Sequence, residues 1–212
     1  MYINPDDIER NAKDTGAIYF NDYSVDVSKS VIEDYFYRSP LTEKASLIPQ
    51  LKTIIFEDNC ISFPGTEPNS YIASIASSLI RDQLIASRTS FTFETVMSSE
   101  DKIQVLQKAR NAGFKNYLYY IATDDPAINI QRVRNRVTIG GHPVPEDKIR
   151  QRYYRSLDLL LSAIKLTDRA FIFDNSGNEA IWLAEINLVG EINARVKELP
   201  DWFYKRIILY AP

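Results

Sequence analysis

The sequence predicts an α/β fold in which a parallel sheet carries helices on its faces. Short β-rich runs alternate along the chain with longer segments whose apolar residues recur at helical spacing. This alternation favours parallel strands joined by right-handed crossovers. The length of 212 residues fits one domain, and an apolar content of 45% is sufficient for a sizeable core.

Short elements with clear turn signals are predicted for the first 95 residues. A strand ends at Asn4, before Pro5, and Asp6 and Asp7 then suit the first turn of a helix, where carboxylates are favoured. The other predicted elements are a short helix around Ser30–Tyr37, a hairpin within Leu51–Phe63, an amphipathic helix capped by Asn69 or Ser70, and a strand over Ser90–Thr95.

The second half of the chain is predicted to alternate more regularly. Its predicted elements are a helix capped by Ser98 or Ser99, a buried strand over Tyr117–Ala122, two basic helices of which the second continues over Tyr153–Lys165, a strand over Ala170–Phe173, a hairpin within Trp182–Val196, and a strand-like or packing segment over Trp202–Tyr210. In a buried central strand, Tyr117, Tyr119 and Tyr120 are expected to pack in the core rather than to stack on nucleic-acid bases.

The inventory of charged and metal-binding residues excludes several classes of protein. The 25 Lys and Arg against 28 Asp and Glu give a net charge of −3, which argues against a large nucleic-acid surface. Cys60 is the single cysteine and His142 the single histidine, which excludes an internal disulfide and a cysteine or histidine-rich metal site. No residue is therefore assigned to a metal site. Without a long apolar run or a signal-peptide core, the chain is expected to be cytoplasmic, with no membrane partner.

Residues 130–157, called the arginine arm below, form the most informative stretch. They read IQRVRNRVTIGGHPVPEDKIRQRYYRSL, two basic helices separated by a Gly-Gly-His-Pro turn in which His142 shapes the turn or bonds a phosphate. Arg132 and Arg136 are one helical turn apart and share a face, and the glycines can absorb a hinge movement. Arg binds phosphate bidentately and keeps its charge when water is excluded. The pattern indicates a lid over a phosphoryl group, and the alternative is two solvated helices with surface charge.

Polar residues follow several of the predicted strands. They are Asp6, Glu94, Thr95, Asp174 and Asn175. Because the chemistry of parallel sheets lies at the carboxyl ends of strands, we expect these side chains to gather at one edge, faced by Arg132 and Arg136. Helix caps and turns are the alternative for each residue taken alone.

Four segments together resemble the zeta-toxin-like P-loop kinases, in that family's order. They are INPDDI (3–8), SFTFETVMS (90–98), the arginine arm, and FIFDNS (171–176). The resemblance covers nearly the whole chain. It implies a P-loop-kinase-like parallel sheet with flanking helices, an inserted hairpin and a C-terminal hairpin, within one domain over 1–212 that has a family-variable insertion at 22–68. It also implies ATP and Mg²⁺ as cofactors and a small-molecule acceptor.

The resemblance implies a role for each matching residue. Asp6 would be the general base for the acceptor hydroxyl, and Glu94 with Thr95 would bind the acceptor. Arg132 and Arg136 would neutralise the phosphoryl charge in catalysis. Arg150, Arg152 and Asn175 would contact the nucleotide. The toxins of this family phosphorylate UDP-N-acetylglucosamine, which implies that sugar nucleotide as a candidate acceptor and an antitoxin protein as a candidate partner.

One family motif is absent from the sequence. The Walker A loop, G-x-x-x-x-G-K-[ST], supplies the amides and the lysine that hold the phosphates, but none of the seven glycines precedes a lysine. The resemblance implies that this loop and the central strand belong before Met1, so the chain is expected to be N-terminally incomplete, with weak ATP binding and weak or no activity. The alternatives are a non-catalytic binding protein that keeps the acceptor cleft and the lid, and nucleic-acid binding through the arginine arm, which the acidic charge disfavours.

Overall fold

The computed structural model describes residues 1–141 and 143–210, with the side chain of residue 210 left aside. The chain divides into two compact units, Met1–Thr95 (unit 1) and Val96–Pro212 (unit 2). The expectation of one domain with an insertion at 22–68 stays a prediction. Among the helices of the described residues, none is both long and apolar enough to cross a membrane.

Unit 1 contains a long central helix, several short helices and five short strands. In chain order they are β1 (Tyr2–Ile3), α1 (Pro5–Thr15), β2 (Ala17–Tyr19), a 3₁₀ turn (Phe20–Tyr23), α2 (Lys29–Arg38), α3 (Pro40–Lys44), α4 (Ile48–Leu51), β3 (Ile55–Glu57), β4 (Cys60–Ser62), α5 (Ser70–Ala86) and β5 (Thr92–Phe93). Strands β1 and β5 pair in parallel, and β2, β4 and β3 form a separate antiparallel sheet in that order.

Helix α5 supplies much of the core of unit 1 because apolar residues line several of its sides. Its N-terminus is capped by Asn69, whose side chain accepts hydrogen bonds from the amides of Tyr71 and Ile72 at 3.0 Å each. Ile3, from β1, and Ile8, from α1, are buried in the same core. Burial of these side chains fixes β1 and α1 relative to α5.

Unit 2 is built on a four-stranded sheet. Its elements are α6 (Glu100–Asn111), β6 (Tyr117–Ala122), α7 (Pro126–Thr138), α8 (Glu146–Ile164), β7 (Arg169–Asp174), β8 (Ile181–Asn187), β9 (Ile192–Ala194), α9 (Asp201–Arg206) and a 3₁₀ turn (Ile208–Tyr210). The strand order is β6-β7-β8-β9, with β6 and β7 parallel and the other pairs antiparallel. One face of this sheet packs on α8 and α9, where Leu160 and Phe203 are fully buried.

Most predicted elements are confirmed. The hairpin of β3 and β4, the two helices of the arginine arm, and the hairpin of β8 and β9 lie where the sequence places them. Parallel strands with flanking helices agree with the predicted fold class. Strand β5 is shorter than the predicted strand over Ser90–Thr95, because only two of its residues pair with β1.

One prediction about unit 2 is wrong, and a second is confirmed in only one of its two alternatives. Strand β6 is not buried on both faces, since Tyr117 and Tyr119 are 53% and 66% exposed and only Tyr120 of the three tyrosines is in the core. For Trp202–Tyr210 the packing alternative is confirmed, because Trp202 and Phe203 are buried, but the segment is helical rather than strand-like.

Strands β5 and β6, which would flank the missing central strand of the family, belong to separate sheets in the described part of the chain. The missing strand itself stays a prediction.

Candidate functional site

The carboxyl ends of β1 and β5 bring polar side chains together in unit 1. Parallel pairing sets Ile3 beside Phe93, so the next residues, Asn4 and Glu94, leave the sheet at the same edge. The Asn4 side-chain amide donates to Glu94 Oε2 at 3.4 Å and to the Tyr2 hydroxyl at 3.2 Å. This cluster of Tyr2, Asn4 and Glu94 is the candidate acceptor site.

Asp6 lies next to this cluster in the first turn of α1. Its backbone N–H donates to Asn4 Oδ1 at 2.9 Å, which caps the helix and fixes Asn4 between Asp6 and Glu94. Asp6, Glu94 and Thr95 are all exposed to solvent. The structure therefore brings Asp6 and Glu94 to one edge, as the parallel-sheet rule predicted.

Two contributors to the acceptor site were missed in the sequence. Asn4 could have been found, because Asn before Pro-Asp-Asp is a common helix N-cap pattern. Tyr2 has no such signal. The hydrogen bond from Asn4 lowers the pKa of the Tyr2 hydroxyl, but partial desolvation and the carboxylate of Glu94 outweigh it, so the pKa of Tyr2 is raised. Tyr2 is therefore a neutral hydrogen-bonding group at neutral pH.

A buried arginine lies against β5. Arg81 of α5 is 3% exposed, and its guanidinium donates to the hydroxyls of Ser77 at 2.5 Å and Ser78 at 2.8 Å. The same guanidinium lies 5.2 Å from the ring centroid of Phe93. This contact holds Phe93, and with it the carboxyl end of β5 that carries Glu94.

In unit 2, the two helices of the arginine arm are joined by an ion pair and a tight turn. Arg134 of α7 pairs with Glu146 at the start of α8. Gly140 has φ +93°, a value that side-chain-bearing residues rarely adopt. The amide of Gly141 donates to the carbonyl of Arg136 at 2.9 Å. The turn thus folds back on the last turn of α7.

Gly141→Ala is expected to disrupt this turn. An added Cβ would lie 2.5 Å from Arg136 Cγ and 2.9 Å from the Arg136 carbonyl oxygen. The hydrogen bond from the amide of residue 141 to this carbonyl must therefore open. The expected cost is about 1 kcal/mol, the size of a lost backbone hydrogen bond. Chemical denaturation and exchange of the residue 141 amide would measure it.

Gly177→Ala is the matched control for this prediction. The Cβ added at Gly177 meets nothing within 4 Å, so stability should change little. Equal stability of the two variants would mean that the turn has room for a side chain.

Arg132 connects the arginine arm to the end of β7. Its guanidinium donates to the carbonyl oxygens of Asn175 at 2.7 Å and Gly177 at 3.3 Å. Asn175 also joins β6, because its amide donates to the carbonyl of Ala122 at 2.7 Å. Arg132 therefore lies at the carboxyl edge of the unit 2 sheet, within its own unit.

Hydrogen bonds of two further side chains, Asp174 and Tyr153, fix this edge. Asp174 is buried and accepts from the indole of Trp202 at 2.7 Å and from the amide of Ser176 at 2.8 Å. The Tyr153 hydroxyl, on α8, donates to the carbonyl of Thr123 at 2.8 Å. Burial, with a contribution from Asp124, raises the pKa of Tyr153 to about 12. Asp174 thus ends β7 at the carboxyl edge, and its bond from the Ser176 amide agrees with the turn that was the alternative for this residue.

Three further arginines of the arm, Arg136, Arg150 and Arg152, differ in their position on the helices. Arg136 is exposed one turn after Arg132, so both share a face of α7. Arg150 and Arg152 are exposed on α8, but two residues apart they do not face the same side of the helix. One ligand is therefore within easier reach of Arg132 and Arg136 together than of Arg150 and Arg152 together. His142, predicted to shape the turn or to bond a phosphate, lies outside the described residues.

The described residues provide part of what a nucleotide requires. Positive charge is available on the arginine arm, but Arg132 is engaged by two carbonyl oxygens and Arg134 by Glu146. No group of three or more His, Cys, Asp or Glu side chains that could hold a metal ion occurs in the described part of the chain. The sequence also contains no Walker A loop. These residues suit the binding of an acceptor and the neutralisation of an anion. They do not by themselves provide the groups that enclose a triphosphate.

Comparison with known proteins gives one family and one relative. The family model described as zeta toxin matches residues 69–187, more than half of the chain. An uncharacterized protein from Haemophilus influenzae is 36% identical over 63 residues, which cover 30% of this chain and 45% of that protein. The match thus spans less than half of the length of this curated relative. No solved structure gives a significant match.

Proposed function

Because this chain belongs to the zeta toxin family, we propose that it acts as a phosphotransferase on a small-molecule hydroxyl, in the cytoplasm. The observation that carries the proposal is the contact between Asn4 and Glu94, which places two carboxylates, those of Asp6 and Glu94, beside the same strand ends. The family is one of P-loop-kinase-like, generally nucleotide-binding proteins. As the 212-residue chain stands, activity is expected to be weak or absent, because its sequence lacks the Walker A loop.

The residues of unit 1 act on the acceptor. Glu94 accepts hydrogen bonds from acceptor hydroxyls, and its position is fixed by Asn4. Asp6, exposed in the first turn of α1, accepts the proton of the hydroxyl that takes up the phosphoryl group. When bound, ATP with Mg²⁺ would supply the phosphoryl group and the metal charge.

The residues of unit 2 act on anionic charge. Arg132 and Arg136 lie one turn apart on one face of α7, and their two guanidinium groups are proposed to neutralise the charge of one phosphoryl group. Arg150, Arg152 and Asn175 are proposed as nucleotide contacts. The acceptor proposed by family resemblance is a sugar nucleotide such as UDP-N-acetylglucosamine, and the proposed protein partner is an antitoxin.

The chain alone is expected to show little affinity for ATP, with a dissociation constant well above the micromolar range. The absent loop is the part that supplies most amide donors to the phosphates in this fold. Calorimetric titration with ATP and Mg²⁺ tests this, and the acceptor UDP-N-acetylglucosamine titrated in parallel serves as the control ligand. Micromolar ATP binding would contradict the proposal and require a phosphate site other than the one described.

A non-catalytic binding protein is the second candidate function. The absence of a Walker A motif from the sequence, together with an acceptor site built from Tyr2, Asn4 and Glu94, favours it. The two functions differ in turnover. If a chain extended at its amino end by a strand and a Walker A loop binds the acceptor but transfers no phosphate, the chain is a binding protein.

A further inference from the structure

Helix α8 runs without a break from the arginine arm into the core of unit 2. It spans Glu146–Ile164 and contains neither proline nor glycine, which are common sites of sharp bends in helices. In its carboxyl-terminal half, Leu157 and Leu160 are buried against the sheet. The Ser156 hydroxyl also lies 3.1 Å from the buried hydroxyl of Tyr120, on β6. The second helix of the arm therefore cannot swing as a unit without disturbing this core.

The first helix of the arm, α7, is held at its amino end. Asp125 caps it with a side-chain hydrogen bond. The Tyr153 hydroxyl of α8 lies within hydrogen-bonding distance of two carbonyl oxygens in the loop before α7, those of Thr123 at 2.8 Å and Asp124 at 3.1 Å. The amide of Asp124 in turn donates to the Ser176 hydroxyl at 2.7 Å. Both α8 and the loop after β7 thus hold the loop that carries α7.

The two helices are also in contact beyond their bases. Arg134 of α7 pairs with Glu146 at the start of α8. Ile130 and Ile149, one from each helix, line the same apolar groove and are only 5% and 9% exposed. A lid hinged at the glycine turn would have to separate these groups, which costs burial of apolar surface. The contacts therefore favour a fixed angle between the helices.

Arg132 is oriented by only one of its nitrogens. Its Nη2 donates to the carbonyl oxygens of Asn175 and Gly177, whereas Nε and Nη1 have no hydrogen-bond partner among the described residues. The two carbonyls thus fix the guanidinium and leave other donors for an anion. Guanidinium groups bind phosphate through pairs of such donors.

We propose that the arginine arm is a preformed anion site and that Tyr153 is the positioning residue that fixes it, so that α7 and α8 do not close over the ligand as a lid. Movement on binding is then limited to side chains and to the turn between the helices. A preformed site favours binding because its arginines need not be ordered when the anion arrives. The proposal rests on the proposed function for the identity of the anion, a phosphoryl group, but not for the fixed position of the arm.

Tyr153→Phe removes the hydroxyl and keeps the ring. Amides of residues 129–135 should then exchange with deuterium about tenfold faster, the effect of losing one hydrogen bond at the base of α7. Amides of residues 158–163, in the buried half of α8, should keep the rate of the unaltered chain. Exchange followed by NMR gives the rate at each amide, and circular dichroism would confirm that the variant is folded.

Tyr154→Phe is the matched control. Tyr154 is the next residue of α8, is 50% exposed, and packs its ring against that of Tyr153 with centroids 5.1 Å apart, but its hydroxyl has no hydrogen-bond partner among the described residues. Exchange in α7 should therefore stay at the rate of the unaltered chain. If Tyr153→Phe behaves in the same way as Tyr154→Phe, the positioning role of Tyr153 is wrong.

Distances between spin labels test whether the arm is fixed. In a Cys60→Ser background, labels at Asn135→Cys on α7 and Lys165→Cys at the end of α8 are both at exposed positions. One narrow distance population is expected, and it should not move when excess inorganic pyrophosphate is added. Two populations, or a shift of several ångströms with pyrophosphate, would show a closing lid and overturn the proposal.

Pyrophosphate also separates this proposal from the proposed function. In Tyr153→Phe it should slow the exchange of the α7 amides again, because an anion bound by both arginines favours the ordered arm. Exchange that pyrophosphate changes in no variant would contradict the anion role that the arginines have in the proposed function. A narrow distance population together with faster exchange in Tyr153→Phe would still support the fixed arm, whereas loss of either would contradict it.

Discussion

Replacing Asp6 by Asn is expected to lower kcat for phosphoryl transfer by about 10²–10⁴-fold, the usual effect of losing a general base. The enzyme for this test is the chain extended at its amino end by a strand and a Walker A loop. KM for the acceptor should change little, because Asp6 is proposed to act on the hydroxyl proton during transfer, whereas Asn4 and Glu94 are proposed to hold the acceptor. Steady-state kinetics of the two enzymes would measure the difference.

Asp7→Asn is the matched control for this prediction. Asp7 lies in the same first turn of α1 and pairs with Arg10 at 2.8 Å, so its loss removes a similar charge near the helix N-terminus. Turnover of this variant should stay within a few-fold of the parent. If Asp6→Asn also keeps near-normal turnover, Asp6 is only a helix-terminal carboxylate.

The double replacement Arg132→Gln with Arg136→Gln should abolish transfer in the extended enzyme. Two guanidinium groups on one face of α7 are proposed to neutralise the transferred phosphoryl group, and a single such arginine contributes about 10³–10⁵-fold to kcat in GTPases. Both side chains are exposed, so the thermal midpoint should change by only a few degrees. Single-turnover assays with melting curves would test both statements.

Two further variants distinguish the contribution of the positive charge from that of the contacts that the arginines make within unit 2. Arg132→Lys keeps the charge but loses the planar guanidinium, whose Nη2 donates to the carbonyls of both Asn175 and Gly177, so a partial loss of activity is expected. Arg134→Gln removes the exposed ion pair with Glu146, which contributes about 0–1 kcal/mol, and should leave transfer nearly intact. Retained activity in the double variant would reduce the arginine arm to two charged helices.

The elements that the sequence predicts well carry strong local signals. The turn of the arginine arm is marked by adjacent glycines and a proline, and the helix after Asn69 by its cap and its apolar spacing. Strand β6 was assigned correctly but its burial was not, because an uninterrupted apolar run looks the same whether one face or both are covered. The carboxyl-terminal helix was missed since its aromatic residues also suit a strand.

The candidate site likewise has a part that could be predicted from the sequence and a part that could not. Asp6 and Glu94 could be placed together because parallel strands share a carboxyl edge. The contacts of Arg132 with Asn175 and of Trp202 with Asp174 join residues far apart in sequence, and each depends on how helices and loops pack. No local pattern encodes such contacts, so they could not be predicted from one sequence.

The pairing of β1 with β5 has a consequence for folding. These strands join the beginning and the end of unit 1, with Tyr2 opposite Thr92, so unit 1 cannot close until nearly all of it has left the ribosome. Closing so long a loop costs entropy, and two residues per strand return few hydrogen bonds. Burial of the Ile3 side chain must therefore supply most of the free energy that offsets this loss of entropy. The Asn4–Glu94 contact is therefore expected to form late in folding and to open early in unfolding, together with the pairing of β1 and β5.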